Sequence, residues 1–326
     1  MIEYMEESRI DIVACTDKWF VMPTGVMMYS VCVNNPDVDI VFHILLDDSV
    51  TDKDRQDIKN VVIPFNGKSV AFYPVKEEIT KFHFPPLDKN SFTLTTYYRL
   101  WLTELLPKSI DKVLYLDGDV IVRHSLLPLW NTDLNNYPIA AVPVDTMKVT
   151  DNFYSRLNES PQLGYFNAGV LLINLKCWRE SQVVNDFVGY MQDHFEDILY
   201  ADQDVLNYVF MKKKVNLPIK YNMQSGFFLK QPLFDVDKYE KEVQSSLRDP
   251  VIIHFTATKP WYLNGWHPHP YRSSFFKYQN QTKWKGVRYE QRSFKLQVIN
   301  FVAGLLRKWK LKRKLESCFV DIDPID

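Results

Sequence analysis

Two carboxylates, Asp117 and Asp119, flank Gly118 in the middle of an apolar run, with Val113-Leu114-Tyr115-Leu116 before them and Val120-Ile121-Val122 after. Acids inside such a run are costly to bury unless a cation pairs with them. At i and i+2, on a chain leaving a strand end, both could face one divalent ion. The bland alternative is two solvated turn acids around a glycine. A cation site also needs further ligands and a substrate, so the rest of the chain has to supply both.

Three more groups of residues could contribute. His254 ends the apolar run Val251-Ile252-Ile253, with Lys259 five residues later. A strand-end histidine taken alone is commonly a hydrogen-bonded structural residue. Beside an Asp-x-Asp pair in want of a third ligand, it reads as that ligand. Asp202-Gln203-Asp204 precedes Val205, Leu206, Val209 and Phe210, whose spacing is helical. Asp202 fits an N-cap, with Gln203 and Asp204 in the first turn, and capping with dipole complementarity would account for both acids. Arg99 falls mid-helix beside the stripe Tyr98, Leu102 and Leu105, and reads as a solvated surface arginine unless something supplies it with an anion.

The elements that must position these groups alternate. Strands are expected at Ile10–Cys15, Ile40–Leu46 and Ser69–Val75, with helices from Pro23 and over Thr51–Asn60 between them. Phe82–Asn90 reads as a loop and Thr95–Leu106 as a helix ended by Pro107. Further strands are expected at Ile139–Val144, ending at Asp145, and over the apolar run Ala168–Leu175, which follows Asn167. Helices are expected over Val183–Phe195 and after Asp202. This alternation argues for an α/β fold with a mostly parallel, Rossmann-like sheet flanked by helices. Ligands in such sheets bind beyond the carboxyl ends of the strands, where Asp17 and the Asp117/Asp119 pair both fall.

With 326 residues, 46% of them hydrophobic, the chain can build a large core, and its net charge of -1 identifies no partner. The four cysteines (Cys15, Cys32, Cys177, Cys318) are scattered without a CxxC pair, which suits reduced thiols. An acidic start without a signal-like segment, and no run long enough to span a bilayer, imply a cytoplasmic protein. Residues 1–265 are expected to form one catalytic domain and 266–326 a separate tail. Six of the eight residues from Arg307 to Lys314 are basic, with Trp309 among them, after an apolar stretch including Phe301, Val302, Leu305 and Leu306. This pattern reads as an amphipathic helix lying on the anionic inner face of a membrane, in preference to nucleic-acid binding or a solvated helix face.

Taken together, the segments Asp11-Ile-Val-Ala-Cys-Thr-Asp17, Thr95-Thr-Tyr-Tyr-Arg-Leu100, Lys112-Val-Leu-Tyr-Leu-Asp-Gly-Asp-Val120, Tyr165-Phe-Asn-Ala-Gly-Val-Leu-Leu-Ile-Asn174, Asp202-Gln-Asp204 and His254 through Lys259-Pro-Trp261 resemble the family 8 retaining glycosyltransferases, especially bacterial lipopolysaccharide galactosyl- and glucosyltransferases. The resemblance runs in order over about residues 10–270. It implies a GT-A fold, a UDP-glucose or UDP-galactose donor, a glycan or lipid-linked saccharide acceptor, and Mn²⁺, with Mg²⁺ as the substitute. By the same resemblance, Asp117, Asp119 and His254 would hold the metal, Asp117 and Gly118 would also contact the UDP-sugar, and Lys259 would meet the donor phosphates. Asp17 and the backbone near Cys15 would grip the uracil, while Arg99, Asp145, Asn167 and Asp202 would hold the donor sugar. Gln203 would lie by the reacting anomeric carbon, with Asp204 the nearest carboxylate.

Two other readings compete. A haloacid dehalogenase-type phosphatase also places Asp-x-Asp after a strand, but there the motif comes near the start of the chain, followed by a lysine and an acidic pair. A degenerate sugar-nucleotide-binding module at a membrane surface would keep the fold and lose the chemistry. Its support is the segment Phe255-Thr-Ala-Thr258, which lacks glycine.

Overall fold

The computed structural model describes residues 9–75, 79, 82–85, 93–257, 259–262, 269–289 and 318–322. Its frame is a seven-stranded sheet made of β1 (Ile10–Thr16), β2 (Ile40–Leu46), β3 (Lys68–Pro74), β4 (Lys112–Leu116), β6 (Ile139–Pro143), β7 (Phe166–Asn174) and β8 (Lys214–Asn216), in the order β3-β2-β1-β4-β7-β6-β8. A second sheet has the order β5-β10-β9, from β5 (Val120–Val122), β9 (Met223–Gln224) and β10 (Ile252–His254). The expected mostly parallel sheet is present. β1 pairs in parallel with β2 and β4, β2 with β3, and β6 with β8. Strands covered on both faces need no polar alternation, which is why β1 and β2 are near-continuous apolar runs.

The exception is β7, antiparallel to both β4 and β6. Its amino end therefore lies beside the carboxyl end of β4, and the Asp117 N–H bonds the Gly169 carbonyl at 2.9 Å. The smaller sheet supplies a second crossing. β10 runs antiparallel to β5, and His254 is paired with Val120, one residue after Asp119. Together, these two pairings gather residues from three distant stretches at one edge.

Helices cover both faces. The helix Val21–Asn34 is buried along most of its length. Its first turn sits so close to the Asp117–Asp119 turn that a Cβ on Gly118 would lie 2.7 Å from Thr24 Oγ1. The polar helix Asp52–Val62 opens on a Thr51/Asp54 capping box, as its sequence suggests.

Two local expectations change. Leu94–Trp101 is a 3-10 helix with one α-turn, Leu102–Leu105, behind it. The tighter winding eclipses side chains three apart, which stacks Thr96 and Arg99 on the same partner. Asp202 is the first residue of its helix, Asp202–Phe210, and Ala201, at φ 52°, holds the N-cap position. The Asp202 carboxylate pairs with the buried Arg99 guanidinium and accepts from the Thr96 hydroxyl.

Residues 269–289 and 318–322, which follow the expected boundary at 265, belong to the body of the molecule. Tyr271, Phe275, Trp284 and Phe319 are part of the same apolar cluster as β1, β2 and helix Val21–Asn34, and the helix Arg272–Gln279 lies on that helix through Tyr278–Asn34 and Gln279–Met22 contacts. The basic stretch Arg307–Lys314 lies outside the described residues. Among the described residues, no helix is long and apolar enough to cross a membrane.

Candidate active site

Asp117 leaves the end of β4, Asp119 precedes β5, and His254 ends β10. Their ligating atoms all lie within 4.8 Å of one another, the one such cluster of potential metal ligands among the described residues. His254 Nε2 stands 3.2 Å from Asp119 Oδ1 and 3.7 Å from Asp117 Oδ2. Adjacent donors on an octahedral ion with bonds of about 2.1 Å would lie about 3.0 Å apart; the His254–Asp119 pair stands near that spacing and the His254–Asp117 pair is wider. Asp119 Oδ1 is buried and makes no hydrogen bond, an orphan acceptor that a cation would satisfy. Two carboxylates and an imidazole thus fit a divalent metal ion.

A run of hydrogen bonds fixes how His254 presents itself. Backbone N–H groups can only donate, so the Gly169 N–H directs Asn167 Oδ1 toward itself at 2.9 Å. The same oxygen accepts from Asn222 Nδ2 at 2.9 Å, leaving Asn222 Oδ1 to face His254 Nδ1 at 3.0 Å. His254 therefore carries its hydrogen on Nδ1 and turns Nε2 toward the carboxylates, the arrangement in which supporting residues hold a metal-binding imidazole. Gly169 gives this packing its room. A Cβ there would lie 2.7 Å from His254 Nδ1 and 2.8 Å from Asp117 Oδ2.

Arg99 is buried and serves as the electrostatic hub. Nη2 bonds Asp117 Oδ1 at 2.8 Å, Nε meets Asp202 Oδ2 at 2.9 Å, and Nη1 donates to the Ala168 carbonyl at 2.6 Å. Its guanidinium lies 4.1 Å from the centre of the Tyr115 ring, whose hydroxyl donates to Asp117 Oδ1 at 3.0 Å. The solvated-surface reading of this arginine fails because two acids and a β7 carbonyl draw it inward. Burial raises the Asp202 carboxyl to about 6, and the Arg99 charge only partly offsets that; Thr96 Oγ1 also donates to it. Burial works against ionising Asp119 too, but the Lys259 ammonium, the largest opposing influence, holds that carboxyl well below the usual range. Lys259 Nζ bonds Asp119 Oδ2 and the Phe255 carbonyl. The glycine-free segment after His254 thus still brings both basic residues to the pair, with the Phe255 N–H tied to the Asp119 carbonyl at 3.0 Å.

Gln203 projects from the first turn of its helix toward β7. Its Oε1 accepts from Asn167 Nδ2 and the Ala168 N–H, both at 3.1 Å. Asp145, just past the end of β6, accepts from the Gly226 N–H at 2.6 Å, and its own N–H donates to Gln224 Oε1. Burial raises the Asp145 carboxyl even so. Asp17 and Cys15 lie at the end of β1, the strand next to β4. Asp17 Oδ1 accepts from the N–H groups of Trp19 and Phe20, ahead of helix Val21–Asn34. The Cys15 thiol is buried, which pushes it up to about 12.

Among the residues expected from sequence, Asp117, Asp119, His254, Lys259, Arg99, Asp202, Asn167 and Gln203 form one connected array. Asp204 does not open onto it. It is wholly buried and its carboxylate accepts from Tyr165, Arg156 and the backbone of Leu199 and Tyr200. Asn222, Tyr115, Gly169 and Thr96 escape a sequence reading. Each is a common residue type in an ordinary setting, and only its place against β7 or β10 makes it part of the site.

A family model described as "Glycosyl transferase family 8" matches residues 11–265. The chain belongs to that family. Several curated relatives agree over most of both chains. The lipopolysaccharide glucosyltransferase WaaO of Escherichia coli is 28% identical over 86% of this chain and 81% of its own. The lipopolysaccharide 1,3-galactosyltransferase of Salmonella typhimurium is 27% identical over the same shares. General stress protein A of Bacillus subtilis is 25% identical over 86% of this chain and 97% of its own. Among solved structures, the galactosyltransferase LgtC, in complex with donor and acceptor sugar analogs, superposes with a TM-score of 0.73 at 28% identity, over 84% of this chain and 96% of that one. This family 8 chain therefore has the GT-A fold of its neighbour, and its clustered acids and histidine lie at the ligand-binding edge such a fold provides.

Proposed function

We propose that this glycosyltransferase moves glucose or galactose from a UDP-sugar to a saccharide acceptor of the lipopolysaccharide or surface-polysaccharide kind, with retention of configuration. The convergence of Asp117, Asp119 and His254 on one point, with Lys259 at the same carboxylate, carries this reading. These three residues would hold a divalent cation. The nitrogen donor beside two carboxylates favours Mn²⁺ over the oxygen-seeking Mg²⁺. When bound, that ion supplies Lewis-acid stabilisation of the departing diphosphate.

The chain's own residues do the remainder. Lys259 exchanges Asp119 for the donor phosphates and places its charge where negative charge develops. Asp17, with the end of β1, grips the base. Arg99, Asp145, Asn167 and Asp202 hold the sugar hydroxyls, and Gln203 lies by the anomeric carbon. The acceptor hydroxyl attacks on the face from which UDP leaves. The bond from the anomeric carbon to the acceptor oxygen forms as the bond to the diphosphate oxygen breaks, and a diphosphate oxygen takes the hydroxyl proton. The burial of Asp204 behind four donors supports this course over a covalent one, since a nucleophile must reach the sugar. The basic tail Arg307–Lys314 would hold the enzyme on the anionic inner membrane surface, where a lipid-linked acceptor is presented.

A panel of UDP-sugars with Mn²⁺, scored by UDP release and by protection against thermal unfolding, tests the donor and cation. Turnover with UDP-glucose or UDP-galactose, lost in an Asp117→Ala/Asp119→Ala variant, is the expected result. Equal turnover in that variant, or hydrolysis of p-nitrophenyl phosphate with Mg²⁺, would overturn the reading. A glycosyl adduct trapped on Asp204 would overturn the same-face course alone.

A further inference from the structure

Behind Gln203 lies a buried set of polar groups that touches neither the acid pair nor the arginine hub. Tyr165, immediately before β7, is 1% exposed. Its hydroxyl lies 2.7 Å from Asp204 Oδ1 and 3.2 Å from Gln203 Nε2. Asp204 Oδ2 accepts from Arg156 Nη2 at 3.1 Å and from the N–H groups of Leu199 and Tyr200 at 2.8 and 3.0 Å.

The hydrogens in this set can run only one way. A carboxylate has none to give, so Tyr165 donates its single hydrogen to Asp204. Burial and the Asp204 charge both hold the phenol in its protonated form. The lone pair left on the Tyr165 oxygen faces Gln203, which must present its NH₂ there. At the other end of the same amide, the Ala168 N–H requires an oxygen. Both ends select one of the two amide orientations, and the wrong one would set two acceptors and two donors face to face in a buried site, leaving each without a partner.

We infer that Tyr165 and Asp204 act as positioning residues, a hydrogen-bonded anchor that fixes the orientation of the Gln203 amide against the donor sugar. The inference rests on the proposed place of Gln203 by the anomeric carbon. Arg156 and the Leu199–Tyr200 backbone hold the Asp204 end, so the anchor ties Gln203 to the helix Met147–Leu157 as well as to β7. It also gives Asp204 its role as the fixed acceptor at the end of the chain.

The test is a double-mutant cycle on kcat and KM with the UDP-sugar the enzyme accepts. Tyr165→Phe keeps the ring and removes one neutral hydrogen bond to Gln203, so kcat should fall about tenfold, with KM for the donor and the affinity for UDP within twofold of wild type. In a Gln203→Ala background the same substitution should change kcat less than twofold, because nothing remains to be oriented. In protein labelled with ¹⁵N-glutamine, the side-chain NH₂ signals of Gln203, assigned from their loss in Gln203→Ala, should shift in Tyr165→Phe; this readout holds even if turnover is poor. Arg156→Met leaves Tyr165 and two backbone donors on Asp204, and should lower thermal stability while moving those signals less. If Gln203→Ala keeps full kcat, the place of Gln203 by the anomeric carbon fails, and the anchor's role in turnover with it. If Gln203→Ala is impaired but Tyr165→Phe has wild-type kcat and unshifted Gln203 signals, the anchor alone fails. Equal losses from Tyr165→Phe in both backgrounds would likewise overturn it, since Tyr165 would then act independently of Gln203.

Discussion

Gly169→Ala tests the geometry of the candidate metal site without removing any ligand. The glycine has no unusual backbone angle to serve; it is small because His254 and Asp117 occupy the space above it. An added Cβ would come 2.1 Å from His254 Cε1 and 2.8 Å from Asp117 Oδ2. Restoring ordinary contact at about 3.5 Å requires the imidazole to withdraw by about 1.4 Å and the Asp117 carboxylate by about 0.7 Å, whereas metal–ligand distances tolerate only about 0.2 Å. Loss of a residue that merely supports a ligand weakens metal binding about 10–100-fold. Displacing two ligands directly should weaken it at least about 100-fold. The assay is titration with Mn²⁺, followed by the EPR signal of the free ion. Overpacking should also lower stability by about 1–3 kcal/mol, leaving the protein folded by circular dichroism. In a His254→Ala background the clash with the imidazole disappears, so the alanine should cost markedly less there. Wild-type Mn²⁺ affinity in Gly169→Ala, alongside weak binding in His254→Ala, would refute the reasoning.

Two further outcomes follow from the electrostatics of the site. Arg99→Met leaves Asp202 buried without its cation and Asp117 with one partner fewer. Removing one member of a buried ion pair costs about 3–5 kcal/mol, and the partial exposure of Asp117 points to the lower end. Urea unfolding in cation-free buffer measures the loss, and a change below about 1 kcal/mol would show that the two acids need no buried counter-charge. The second outcome concerns pH. Asp202 is raised to about 6 in the folded protein from an ordinary 3.8. Between about pH 4 and pH 6 the folded state thus holds a proton that the unfolded state has lost, and this group's contribution to stability falls by about 3 kcal/mol as pH rises through that window. Above about pH 6 the Arg99–Asp202 ion pair is complete. The kcat/KM profile should then carry an acid limb near pH 6 that is absent in Asp202→Asn; the same limb in that variant would rule Asp202 out as its source.

Much of the frame was legible in the chain because parallel strands covered on both faces write themselves as apolar runs. β1, β2 and β4 stand within a residue of where the sequence places them. The ends were harder. Asp202 has the composition of an N-cap and the spacing of one, yet a buried arginine recruits it. Thr95–Leu106 has helical periodicity, yet its first half winds as a 3-10 helix that stacks Thr96 and Arg99 on Asp202. Local propensity amounts to tenths of a kcal/mol per residue, while an unpaired buried charge costs several, so the site overrules the element that carries it.

By itself, the order of residues determined which groups could do chemistry here: two acids in an apolar run, a strand-end histidine, a lysine after it, and an amide in the first turn of a helix. Tertiary structure alone decided that they meet. The antiparallel insertion of β7 beside β4 puts Asn167, Gly169 and, through them, Gln203 at the acid pair. The pairing of β10 with β5 sets His254 opposite Val120. Neither register is written in any local pattern, since it depends on two strands separated by more than forty residues satisfying one another's backbone hydrogen bonds. The same pairings left Asp204, one residue from Gln203, facing inward to Tyr165 and Arg156, because each helix position is turned about 100° from the last, which carries Asp204 about 200° round from Asp202.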